Sequence, residues 1–321
     1  MPDEPAVAAA SRAQTMPGAS RSFGDTLAAR VAERESQIVL GLDPDPNALW
    51  PGSGPDPVLG SPAERAASAV EAHCRALIDA VAPACVAVKP QLACFERLGI
   101  PGRAVLEAVV RHAHAVGLLV IADGKRGDID VTARAYAEAL FAGVETPFGE
   151  VAGLDVDMAT VNPLMGSDAV EPFVTAAREA GAGVLLLVRT SNPGAADVED
   201  LELAGGGAVW ERLAGLVDEL GRPGVGEDGL SDVGAVVGAT APGHLARARE
   251  LMPHAPFLLP GVGAQGGRVE DLAPAFAPGR AGGLVAASRS IANAYRTTGG
   301  EPAAAAATEA ERLRAVTWAL R

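Results

Sequence analysis

Acidic and basic side chains alternate just after the apolar run LLVIA (118–122), where Asp123, Lys125, Arg126 and Asp128 put four charges within six residues. An ammonium group flanked by carboxylates is held charged and aimed. Such a group can stabilise an anion as it develops and then protonate it. A DxKxxD string standing alone reads as a solvated turn. Here other apolar runs also end in chemistry-bearing residues: Asp43, Lys89, Thr190 with Ser191, and the SRS at 288–290. Charges beside a core are costly unless paired, so the recurrence points to one shared site.

A second constellation is PGVGAQGG (260–267). It fits GxGxxG, but it lies late in the chain, and no acidic residue caps a following strand about 20 residues on, as a dinucleotide fingerprint requires. A phosphate loop suits it better. Gly261, Gly263, Gly266 and Gly267 let backbone N–H groups approach an anion, Gln265 adds an amide donor, and Arg289 offers a planar fork. His112 and His114 stand two apart on a helical pattern and do not share a face. No His/Cys/acid cluster has ligand spacing, so no metal site is expected. There is no GxSxG and no recognisable Ser–His–Asp order.

These residues need a scaffold that gathers strand ends. Eight apolar runs recur along the chain: Ile38–Asp43, Cys85–Pro90, Leu118–Asp123, Met158–Pro163, Gly183–Ser191, Gly234–Thr240, Phe257–Gly263 and Gly282–Arg289. Most are apolar throughout, as strands covered on both faces should be. Helical patterns separate them at 62–82, 102–116, 130–141, 167–180, 208–220, 243–252 and 268–276. Eight strand–helix repeats predict an α/β protein of the (β/α)₈ TIM barrel type, with chemistry at the C-terminal strand ends. A doubly wound open sheet is the runner-up. Residues 1–24 read as a disordered tail, 25–297 as the catalytic barrel, and 298–321 as an amphipathic helix covering its outside. Pro- and Gly-rich stretches at 44–62 and around 192–232 read as insertions after the first and fifth strands.

The 321 residues are 49% hydrophobic but only 4% aromatic, so Ala, Val and Leu must build the core. A net charge of −14 argues against a broad nucleic-acid or anionic-membrane surface. Three cysteines without a CxxC pair argue against a disulfide framework. With no signal-like or membrane-spanning run, a cytoplasmic location is expected.

With these motifs in hand, the chain resembles the orotidine 5′-phosphate decarboxylase family, in its longer bacterial branch. DGKRGDI matches the family's DxKxxD motif, and LDPD, VKPQ, PGVGAQGG and SRSI match further segments in order, over roughly Ile38 to Ala294. The resemblance implies cofactor-independent decarboxylation of a nucleotide to UMP. Lys89, Asp123, Lys125 and Asp128 would form a charged network, with Lys125 the proton donor to C6 and Asp123 near the departing carboxylate. Asp43 and Lys89 would hold ribose hydroxyls, Ser191 the pyrimidine, and Gly263, Gln265 and Arg289 the phosphate. Asp128, Ile129 and Thr132 would reach a neighbouring subunit's site, implying a homodimer with shared sites. Two alternatives remain. One is a Mg²⁺-dependent sugar-phosphate synthase or decarboxylase of the same superfamily, in which an acid tends to stand where this chain has Lys89. The other is a non-catalytic nucleotide-phosphate-binding barrel.

Overall fold

Eight parallel strands close on themselves in a computed structural model that describes residues 22–54, 60–239, 242–262 and 266–320. They are β1 (Ile38–Leu42), β2 (Ala87–Pro90), β3 (Leu119–Arg126), β6 (Met158–Val161), β7 (Gly183–Arg189), β8 (Val233–Val237), β9 (Phe257–Leu259) and β10 (Gly283–Ala287). Each pairs with the next, and β10 returns to β1 through Ile38 opposite Val285. Every apolar run singled out in the sequence supplies one barrel strand, so the TIM-barrel reading holds and the open sheet is excluded. Between them lie α2 (Pro62–Val81), α4 (Gly99–Ala115), α5 (Asp130–Leu140), α6 (Ser167–Glu179), α7 (Val209–Gly221) and α8 (Pro242–Leu251).

The strands are apolar on both faces because both are buried. Val39, Ala87, Leu119, Ile121, Met158, Leu185, Val236, Leu258, Leu284 and Ala286 fill the inside, while alternate residues such as Ile38, Leu40, Val88 and Val120 meet the helices. The N-terminal end of the barrel is stopped by α1 (Phe23–Arg34), whose Phe23, Leu27 and Val31 pack into the interior cluster. At the end of α1, Arg34 donates to the carbonyls of Ala82, Val116 and Gly117, tying down two helix-to-strand turns. Residues 1–21 of the expected tail lie outside the described residues; Ser22 caps α1, and Phe23 and Gly24 belong to it.

Local signals explain the helix ends. Ser61 accepts from Glu64 N–H, and Glu64 Oε2 accepts from Ser61 N–H at 2.6 Å, with Pro62 opening α2; such caps are worth about 1 kcal/mol. Over 269–276, where a helix was expected, the chain instead forms a 3₁₀ helix containing Pro274, which lacks the N–H an α-helix interior needs. A hairpin of β4 (Val144–Thr146) and β5 (Gly149–Val151) stands outside the barrel. With α3 (Leu92–Glu96), it is too short for periodicity to reveal. After β10 come two short helices, α9 (Arg289–Ala292) and α10 (Ala294–Thr298). The last helix, α11 (Pro302–Ala319), buries Ala306, Ala310, Leu313 and Thr317, one stripe at helical spacing, against α2 and the β1 side of the barrel.

Candidate active site

Period-two alternation carries polar residues into the barrel mouth. Lys89, Asp123, Thr160 and Ser288 each stand two residues beyond an inward apolar residue, respectively Ala87, Ile121, Met158 and Ala286. They therefore share that residue's face, one layer higher. Above this layer is a cavity of about 600 Å³ floored by Val236, Leu258 and Ala286. Asp43, Lys89, Asp123, Lys125, Ser191 and Arg289 all line it. Six of the sequence-derived site residues, drawn from β1, β2, β3, β7 and β10 or the turns after them, thus converge.

At its centre Asp123 joins two lysines. Lys89 Nζ is 2.5 Å from Asp123 Oδ2, and Lys125 Nζ is 2.5 Å from Oδ1. Burial alone would raise the Asp123 pKa. Lys89 and Lys125 outweigh it and hold the carboxyl down at about 2. The two cations differ in access. The Lys89 side chain is 10% exposed, whereas that of Lys125 is 44% exposed and faces the cavity. Lys125 also has φ +48°, in the left-handed region, at a register shift between β3 and β6. Its N–H donates to Thr160 Oγ1 at 2.9 Å. The local break in the strand thus re-aims one ammonium group into the mouth.

Two residues of this centre were missed by sequence reasoning. Thr160 Oγ1 donates to Asp123 Oδ1 at 3.0 Å, and Gln91 Nε2 donates to Asp123 Oδ2 at 3.3 Å. Thr160 carried a signal, because it lies two residues past inward-facing Met158. Thr190, Ser288 and Ser290, strand-end residues in the sequence with no role given to them, line the cavity too, and so does Asn192, which the sequence did not mark. Close backbone approach shapes this rim. A Cβ on Gly238 would lie 2.8 Å from Ser191 Cα, and one on Gly41 would lie 2.7 Å from Ser288 Cβ.

Three expected site residues are not brought to this cavity within the single chain. Asp128 accepts the N–H of Ile129 at 2.8 Å, Ile129 is 54% exposed, and Thr132 is exposed on α5; none lines the cavity. Gly263 and Gln265 lie outside the described residues. At the loop that contains them, Gly261 has φ +101° and Gly267 N–H returns to Gly261 O at 3.0 Å. His112 and His114 go to separate carboxylates, Asp79 and Asp157. Among the described residues no group of three His, Cys, Asp or Glu is arranged to hold a metal ion, and no helix is long and apolar enough to cross a membrane.

A closed parallel barrel with paired lysines and an arginine at its C-terminal mouth defines a TIM-barrel protein built to hold an anionic small molecule. Residues 36–306 match the family model described as "Orotidine 5'-phosphate decarboxylase / HUMPS family". The chain belongs to that family. It is 40% identical over 282 residues to an orotidine 5′-phosphate decarboxylase of Rhodopirellula baltica, covering 86% of this chain and 89% of that one. It is 42% identical over 271 residues to one of Deinococcus radiodurans, covering 84% and 89%. Among solved structures, a putative orotidine 5′-phosphate decarboxylase from Streptomyces avermitilis matches with TM-score 0.74 and 32% identity, covering 94% of this chain and 99% of that one. The orotidine 5′-phosphate decarboxylase of Leishmania donovani matches with TM-score 0.68 and 32% identity, covering 93% and 100%.

Proposed function

We propose that the chain decarboxylates orotidine 5′-phosphate to UMP, with Lys125 stabilising and then protonating the C6 carbanion. The observation that carries this reading is the single carboxylate of Asp123 shared by a buried lysine and a cavity-facing one. Loss of CO₂ from C6 leaves a carbanion that no adjacent carbonyl delocalises. Stabilisation must therefore be electrostatic and stronger in the transition state than in the ground state. Lys125 supplies a cation beside that carbon and the proton that quenches it. Asp123, kept ionised by its neighbours, holds Lys125 in place and lies where a substrate carboxylate would be repelled until it departs.

Arg289, with the glycine loop that contains Gly263 and Gln265, is assigned to the phosphate. Asp43 and Lys89 are assigned to the ribose and Ser191 to the base. Asp128, Ile129 and Thr132 are assigned to the site of a second copy in a homodimer. The exposure of Ile129 and Val131, 54% and 74%, supports that assignment. The Mg²⁺-dependent alternative is disfavoured by Lys89, a cation where a metal ligand would be needed. The non-catalytic alternative is disfavoured by Lys125, which phosphate binding alone does not require. The test is orotidylate absorbance with the purified protein in EDTA. Steady loss supports the reading. Tight UMP binding without that loss overturns it in favour of a binding protein, and loss of turnover on chelation favours the metal-dependent class.

A further inference from the structure

The insertion after β7 brings two carboxylates, Glu199 and Asp200, behind the cavity-lining segment Thr190–Asn192, where the proposed reaction gives them no role. Glu199 and Arg189 between them occupy every polar group of Thr190. Thr190 N–H donates to Glu199 Oε2 at 2.8 Å, and its hydroxyl lies 2.9 Å from Glu199 Oε1. Its carbonyl accepts from Arg189 Nη1 at 2.7 Å. Arg189 is in turn held by Asp200 through Nε and Nη2, at 2.7 and 2.9 Å, and its side chain is only 12% exposed. Bidentate arginine–carboxylate pairs are geometrically stiff, so Thr190 is clamped on three sides.

The clamp also has a polarity. Thr190 Oγ1 lies 2.7 Å from Asn192 Oδ1 as well. A hydroxyl has one proton, and an ionised carboxylate can only accept. One proton cannot serve both Glu199 Oε1 and Asn192 Oδ1; with the proton on the Glu199 side, the Asn192 amide pairs with Thr190 by a half-turn that brings its nitrogen to Oγ1. Thr190, Ser191 and Asn192 all line the cavity. In the ring of strands β7 adjoins β6, which carries Thr160, and is three places from β10, which leads into Arg289. The clamped segment is thus on the Lys125–Thr160 side and away from the arginine.

We propose that Glu199 is a positioning residue for nucleobase recognition. Held beside the Arg189–Asp200 pair, with Arg189 Nη1 3.6 Å from its Oε2, it fixes Thr190 to Asn192 and sets which way the Asn192 amide faces. The inference rests on the decarboxylase reading of this cavity, and it gives part of the insertion a task in base binding with none in phosphate binding.

The test compares UMP with ribose 5-phosphate as ligands of the wild type, Glu199→Gln and Glu199→Ala. Taking away the acceptor of the half-buried Thr190 N–H and hydroxyl should weaken UMP binding by about tenfold in Glu199→Ala while ribose 5-phosphate stays within about twofold. Glu199→Gln keeps the shape but lets an amide donate to Thr190, reversing the sense of the chain to Asn192. It should keep the wild-type Tm, lose UMP affinity selectively, and decide the matter alone if the alanine variant does not fold. A parallel fall in both affinities, or no fall in either, overturns the positioning role. Turnover of orotidine 5′-phosphate by the wild type is scored separately. Its failure would sink the decarboxylase reading, whereas the affinity ratio judges Glu199 alone.

Discussion

Thr160 donates its hydroxyl to Asp123 at 3.0 Å while accepting the amide N–H of Lys125 at 2.9 Å. One small buried side chain thus fixes both the carboxylate and the backbone that carries the cation. Thr160→Val keeps the shape and removes both bonds. It should lower kcat about tenfold, the loss expected when a buried donor and acceptor are left unpaired, with little change in KM. Thr160→Ser should retain most activity. Steady-state kinetics on the pair checks this, and equal kcat values for Val and wild type would count against Thr160 as an orienting group.

Lys125 faces the cavity, and the proposed reaction asks it for both charge and a proton. Lys125→Ala should cut kcat by about 10²–10⁴ or more and leave UMP binding largely intact. A variant that still decarboxylates within about tenfold of wild type would remove Lys125 from the chemistry. With one cation gone, the Asp123 carboxyl should also rise from its value of about 2, readable by carbon NMR of the labelled carboxyl.

Arg289 is exposed at the rim and is assigned to the phosphate. Charge-assisted bonds to phosphate are worth about 1.5–3 kcal/mol each, so Arg289→Ala should raise KM about 10- to 100-fold. Orotidine lacking its phosphate should react slowly and be indifferent to this change. Added phosphite dianion should partly rescue that substrate with the wild-type protein and much less with the variant, because remote binding energy helps drive the chemistry. Absence of rescue in the wild type would refute the phosphate assignment.

Among the described residues Asp128 bonds its own neighbour's N–H and does not line the cavity of its own chain. The dimer proposal turns this into a complementation test. Asp128→Ala and Lys125→Ala homodimers should each be nearly inactive, whereas mixed dimers contain one intact site. Recovery of up to about a quarter of wild-type activity in an equimolar mixture follows from random pairing and C₂ symmetry. No recovery, with exchange demonstrated by mass, would refute the shared site.

The barrel was legible because its strands are buried on both faces and read as plain apolar runs such as Val39–Leu40 and Val184–Val188. The charged centre was legible because Lys89, Asp123 and Lys125 break those runs. What escaped depends on tertiary pairing. Thr160 and Gln91 act only because Asp123 comes to them across strand boundaries. Glu199 sits nine residues from Thr190 in a Gly- and Pro-rich stretch, with no period to mark it. The helix over Phe23–Arg34 lies partly within the span read as tail, because its start lacks an apolar run, although its Phe23, Leu27 and Val31 stop the barrel.

Acid should loosen a different part of the rim. His73 is buried, and burial alone lowers its pKa to about 4. Its Nδ1 accepts the backbone N–H of Trp50 at 3.2 Å, while the Trp50 indole donates to Ala292 O at 2.8 Å. These bonds link the turn after β1 to α9, which Arg289 opens. In the unfolded chain the imidazole titrates at about 6.5, so the unfolded state takes up protons first. The stabilisation by neutral His73 is therefore complete above about pH 6.5 and is lost as pH falls from there through about 4, by at most about 3 kcal/mol. Denaturant midpoints should drop over that window. Trp50 emission, isolated against Trp50→Phe, should change near its lower end as a protonated ring gives up the Trp50 N–H. His73→Gln retains an acceptor without titrating, and should flatten both profiles. An unchanged pH dependence in that variant would assign the acid sensitivity elsewhere.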